Sequence, residues 1–114
     1  MITQNTLDSV RDYLASLASQ GEVGTGTTDP TVGDTSLENP IAGTKKALDD
    51  AITETNTITF VYSLGASEAN GNNITEFGLW NSDLISRVVF SAITKTSDVS
   101  WEMQYAIELS QENL

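Results

Sequence analysis

The pattern of apolar positions changes period once along the chain. Leu7, Val10, Leu14 and Leu17 recur at helical spacing with Ala18 beside them, and predict a helix over residues 3–19. Asn5 or Thr6 is expected to cap its start, Asp8 suits the first turn through the helix dipole, and Gly21 suits the stop. The same positions hold a heptad spacing for two repeats, which is too short for a self-standing bundle. The stripe is therefore expected to pack on the protein's own sheet, with a contact between subunits as the alternative.

Past Gly21 the texture becomes Gly-, Thr-, Asp- and Pro-rich, and residues 24–40 read as an extended loop with a tight turn. From residue 41 the apolar period is two. Ile41 to Leu48 is ambiguous between a weak strand and a short helix, because Lys45-Lys46 and Asp49-Asp50 interrupt it. Ile58, Phe60, Tyr62 and Leu64 alternate with Thr57, Thr59, Val61 and Ser63, the pattern of a half-buried strand. Asn70-Gly71-Asn72-Asn73 is a turn, since Asn and Gly tolerate positive φ. Ile74 to Trp80 is the next strand, and Asn81-Ser82-Asp83 turns the chain again.

Leu84 to Ile93 is apolar on both faces, Val88 and Phe90 on one and Ile85, Val89 and Ile93 on the other. That predicts a central strand covered twice, by the N-terminal helix or a neighbouring subunit. After a turn over residues 94–98, Val99, Trp101, Met103, Tyr105, Ile107 and Leu109 alternate with polar or small residues in the cleanest strand pattern of the chain. The sum is a mainly β protein: an antiparallel β-sandwich, jelly-roll-like, with one N-terminal α-helix. Residues 1–20 form the helix on or beside the sandwich, residues 21–114 the sandwich, and the whole is one domain.

Composition narrows the chemistry. A chain of 114 residues suits one domain with a real core and a modest stability margin. No apolar run is long enough to span a membrane, and the first residues do not show the basic-then-apolar order of a signal peptide. There is no cysteine and no histidine, so disulfides, thiolate or imidazole metal sites and Ser-His-Asp arrangements are excluded. Sixteen Asp and Glu against five Lys and Arg give a formal charge of −11, which repels phosphate backbones and excludes nucleic acid as a partner. The same charge has two readings: ordinary solubility, or, with little Lys and much Thr and Ser, a halophilic source, because molar salt shortens the Debye length to about 3 Å.

Few residues are candidates for chemistry. Glu68, Glu76 and Asp83 flank two turns and are a carboxylate set to weigh for acid–base work, but a solvated acidic rim is the better reading, and no catalytic residue is expected. Asp29, Asp34 and Glu38 could offer calcium oxygens, yet their spacing is not that of an EF-hand, and no metal or cofactor is expected. Glu76 is out of place in a strand; if buried it needs a partner, and Arg87 on the following strand is the expected one, as a structural ion pair. Trp80 and Trp101 are candidates for a sugar-stacking platform, with Trp101 expected in the core and Trp80 at a contact with another chain. Leu7, Val10, Leu14 and Trp80 are the expected interface residues.

Two segments fifty residues apart carry a further signal. The first is Gly24-Thr25-Gly26-Thr27-Thr28-Asp29-Pro30, running on to Asp34-Thr35-Ser36-Leu37-Glu38-Asn39-Pro40. The second is Ile74-Thr75-Glu76-Phe77-Gly78-Leu79-Trp80-Asn81, followed by Leu84-Ile85-Ser86-Arg87-Val88-Val89-Phe90. Together they resemble the N-terminal domain of tailed-virus tail-collar and tail-fibre proteins. The resemblance implies a non-enzymatic virion part on the exterior of the particle, assembling with itself and with other virion proteins. Members of that family often continue into a shaft or tip, whereas this sequence stops at Leu114. The expectation is therefore a baseplate or fibre adaptor, a short spike, or a capsid decoration or turret module. A carbohydrate-binding or adhesin module that engages host-surface glycan is the alternative.

Overall fold

The computed structural model describes residues 1–111. A helix, α1 (Gln4–Leu17), is followed by seven strands: β1 (Gln20–Gly24), β2 (Lys46–Ala47), β3 (Asp50–Glu54), β4 (Thr57–Leu64), β5 (Asn73–Trp80), β6 (Leu84–Thr94) and β7 (Trp101–Glu108). They form two antiparallel sheets, one of order β2-β1-β5-β6 and one of order β3-β4-β7. The protein is a β-sandwich with one N-terminal helix.

The alternation read in β4 is what builds the core. Ile58, Phe60, Tyr62 and Leu64 point between the sheets and meet Val23, Ile74, Phe77 and Leu79 from the facing sheet. Tyr62 and Phe77 pack edge to face with centroids 5.4 Å apart, and the Tyr62 hydroxyl donates to the Thr44 carbonyl at 2.5 Å. Burial raises the Tyr62 pKa, so the ring stays a neutral donor. Each such side chain contributes about 1.5–3 kcal/mol on leaving water.

Several boundaries differ from expectation for identifiable reasons. Thr3, and neither Asn5 nor Thr6, caps α1, its hydroxyl accepting from the Thr6 N–H at 3.4 Å. The helix ends at Leu17, and Gly21 is no cap: it lies within β1, where an added Cβ would come 2.5 Å from the Tyr62 ring. Glycine is there so that strand and aromatic core can approach. β3 escaped the sequence reading because only Ala51 and Ile52 mark it as apolar; a two-residue turn and the pairing with β4 hold it. The ambiguous 41–48 segment contributes a strand of only two residues.

β6 is an edge strand and not a central one. Near its start the second cover comes from the loop around Pro30–Asp34, which lies beside Leu84–Arg87, and Ser91–Thr94 at its far end are exposed. Lys95 follows directly. It is fully buried, its ammonium donating to Asn70 Oδ1 at 2.8 Å and to the Thr96 carbonyl at 3.2 Å, so it ties the β4–β5 connection to the end of β6. Within that connection Ala69 is held at φ 56°. Because an L-residue there costs about 1–2 kcal/mol, Ala69→Gly is expected to raise the melting temperature; a fall would show that the Ala69 methyl makes a compensating contact.

Candidate functional site

The β5–β6 ladder is irregular beside the site, with the extra residues on β6. The register of β5 with β6 shifts between Ile74 and Glu76. Ile74 stays in the core, while Thr75 and Glu76 both turn to the outer face and both reach Gly26. The Thr75 hydroxyl donates to the Gly26 carbonyl at 2.6 Å, and the Gly26 N–H donates to Glu76 Oε2 at 2.7 Å. The 24–40 loop thus folds over the outer face of the first sheet and is clamped by consecutive strand residues.

Glu76 has no exposed surface. Besides Gly26, its carboxylate accepts from the Asn39 N–H at 2.9 Å, the Glu38 N–H at 3.0 Å and Arg87 Nε at 2.8 Å. Burial pushes its pKa up, but Arg87 and the three amides outweigh that and hold it below the ordinary value. Arg87 lies diagonal to Glu76 in the β5–β6 ladder, opposite Gly78. Its Nη1 donates to Asp34 Oδ2 at 3.1 Å, and its buried Nη2 has no acceptor among the described residues. The hydrogen bond to Glu76 raises the guanidinium pKa above its already high value.

The loop also ties itself. Glu38 Oε1 accepts from the Thr27 and Thr28 N–H groups at 2.8 and 3.1 Å, and Glu38 Oε2 from the Thr28 hydroxyl. Asp34 accepts from the Thr31 N–H at 3.0 Å and hydroxyl at 3.1 Å. Both carboxylates titrate below their ordinary values, Glu38 through Thr28 and Thr27, and Asp34 chiefly through the Thr31 amide. Apolar closure comes from Leu37, which is 2% exposed and sits over Gly78.

Glycine is required at three points. A Cβ on Gly24 or Gly26 would lie 2.5 Å from Glu76 Oε2, and one on Gly78 would lie 2.7 Å from Leu37 Cδ2. Sequence reading found Glu76 and Arg87 but missed Gly24, Gly26, Asp34, Leu37, Glu38, Asn39 and Gly78 as parts of the same unit. The glycines flanking a strand-borne Glu were the available signal.

The other candidates fall elsewhere. Glu68 pairs with Lys46 Nζ at 2.6 Å and accepts from the Gly65 N–H at 2.7 Å, and Asp83 lies in the exposed β5–β6 turn. With Glu76 sealed beneath the loop, these carboxylates occupy separate environments. Among the described residues no three acidic side chains gather as a ligand set, and Asp34 and Glu38 are occupied by loop donors. Trp80 is 8% exposed; its indole N–H donates to Glu22 at 3.1 Å and Lys45 Nζ sits 3.4 Å from the ring centroid. Burial raises the Glu22 pKa against the pull of Lys45 and Trp80. Trp101 is half-buried against the core. On α1, Leu7 and Leu14 are half-buried, Leu14 against the core, whereas Val10 is 48% exposed and Tyr13 67%. Arg11 fixes the helix to the β3–β4 turn, donating to the carbonyls of Glu54 and Thr55 at 3.1 and 3.2 Å.

The depressed carboxylates set a pH dependence. Glu76, Glu38, Asp34 and Glu68 have folded-state pKa values below their unfolded ones, so their stabilisation is full above the ordinary carboxylate range and is lost as pH falls below it. Glu22, shifted the other way, opposes this weakly. Stability should fall as pH drops below about 4.5, and Glu76→Gln should flatten that fall. An unchanged acid limb in Glu76→Gln, measured by urea unfolding across pH, would show that Glu76 is not a source of it.

No protein-family model matches the chain, and comparison with curated proteins finds no match.

Proposed function

We propose that this protein is a structural component of a tailed-virus virion, placed on the particle exterior as a tail, baseplate or fibre-adaptor protein or as a capsid decoration or turret protein. One observation carries the reading. The two segments that resemble the tail-collar and tail-fibre signature are the two halves of a single staple, in which Gly24, Gly26, Leu37, Glu38 and Asn39 close on Glu76, Gly78 and Arg87. Short matches scattered by chance have no reason to meet in space at residues that need one another. The chemistry of the staple supports a scaffold role: Glu76 accepts four donors and is kept ionised, so it has no proton to exchange near neutrality.

The carbohydrate-binding alternative needs an exposed aromatic face, and Trp80 does not offer one, being covered by Lys45 and bonded to Glu22. Mass spectrometry of density-purified particles tests the proposal. Peptides of this chain at a fixed copy ratio to the major virion proteins are expected; their absence from intact particles would contradict it.

A further inference from the structure

The sandwich is closed along one side and open along the other. Where β6 begins, the Ser86 and Tyr105 hydroxyls bridge the sheets at 2.8 Å, and Tyr105 packs edge to face on Phe77 at 5.7 Å. Beyond that latch the sheets part. Val88, Phe90 and Ile93 of β6 face Met103 and Tyr105 of β7 across a groove of about 360 Å³ that is apolar apart from Gln104. Ile93 shares this face with Val88 and Phe90, not the opposite one that simple alternation predicts, because the β5–β6 register shifts between them. Inward-facing core residues therefore border solvent, and Ile93 is 53% exposed.

The four sheet edges are not alike. β2 has two residues, too few to template another strand. β3 carries Asp50 and Glu54 and is flanked by α1, which packs on β3 and β4. β7 carries Glu102 and Glu108. β6 runs for eleven residues with no proline and no carboxylate, and its only charged residue, Arg87, is consumed by Glu76 and Asp34. Its backbone bonds only to β5 among the described residues, leaving a row of unpaired donors and acceptors. Charge, proline and shortness, three of the devices that keep edges apart, are absent from β6, whose ladder is interrupted only by the register shifts opposite Thr75 and next to Trp80.

We infer that β6 and the groove beside it are a self-association surface, and that its occupant is a second copy of this chain. β6 pairs antiparallel with the β6 of the partner about a two-fold axis. The two four-stranded sheets then become one, and the two open seams merge into a shared core over Val88, Phe90, Ile93 and Met103. Like net charge opposes the approach of a second copy and so restricts where it can dock. A cationic partner would be drawn to the acidic surface at large, whereas a chain of charge −11 can approach its own kind only along a strip free of carboxylates. The area suffices: eleven residues span about 37 Å, and with the 25 Å thickness of the molecule the side presents on the order of 900 Å², against about 800 Å² per partner in a stable interface. The inference rests on the assembly role proposed above for its biological meaning, and on the purified chain alone for its test.

The test is the solution mass of the full chain by light scattering and sedimentation, from low to molar salt. The expected result is a dimer that tightens as salt screens the like charges. Ile93→Glu should weaken it at least tenfold, while Val32→Glu, which adds the same charge at the exposed tip of the 24–40 loop, should not. Hydrogen exchange on the unsubstituted chain supplies a readout independent of any variant: β6 amides should gain protection as concentration rises. A monomer at every salt concentration, an odd-numbered assembly, equal effects of the two variants, or β6 protection independent of concentration would each overturn the inference. A chain that dimerises but is absent from particles would retain this surface and lose the virion reading; a monomer found in particles would do the reverse.

Discussion

Glu76→Ala should cost about 3–5 kcal/mol of folding stability. The carboxylate lies fully buried among three backbone amides and the Arg87 guanidinium. Removing it strands all four donors and leaves a guanidinium, 4% exposed, with Asp34 as its one remaining ion-pair partner among the described residues. The pair itself need not be worth that much, because bringing both charges out of water offsets most of their attraction. The double substitution Glu76→Leu with Arg87→Met should therefore recover a large part of the loss. Thermal and urea unfolding of the two single variants and the double variant would measure this. A loss under about 0.5 kcal/mol for Glu76→Ala would mean that the loop stands without its clamp.

Leu37→Ala comes next, at about 2–4 kcal/mol, since a large buried side chain is removed from a place the backbone cannot refill. Leu37 is the apolar half of the loop's closure, packed over Gly78 as Glu76 is over Gly24 and Gly26. The loss should be local before it is global. Amides of Gly26, Glu38 and Asn39 should exchange faster in Leu37→Ala while those of β4 stay protected. Val32→Ala, at the fully exposed tip of the same loop, should change neither. Uniform loss of protection across both sheets would show that loop and sandwich unfold as one unit.

The legible parts of the fold were those in which one periodicity settles the matter. Ile58 to Leu64 and Trp101 to Leu109 announce their strands because every second side chain enters the core. The α1 stripe was readable, but its ends were not. Thr3 caps it because the chain enters the helix there, with Gln4 and Arg11 anchoring the first turns to the β3–β4 turn. Apolar residues on both faces of β6 predict a central strand. In fact the inner set borders an open seam and the 24–40 loop lies over the outer face near the strand's start, an arrangement that side-chain pattern alone does not distinguish from burial on both sides.

At the site, Glu76 stood out because a carboxylate in a strand demands a partner, and the hairpin register pointed to Arg87. The rest was hidden for a physical reason. Three of the four donors to Glu76 are backbone amides, which every residue has and which carry no mark in the sequence. Only the glycines, which leave room for close approach, betray where a loop backbone comes down onto a side chain.

The assembly reading stands or falls most directly on electron microscopy of purified virions labelled with antibody to this chain. The account predicts label at defined positions on the particle exterior: at the tail end for an adaptor or baseplate protein, on the head for a decoration or turret protein. Intact particles that carry no label at any position would contradict it and return the glycan-binding module to first place.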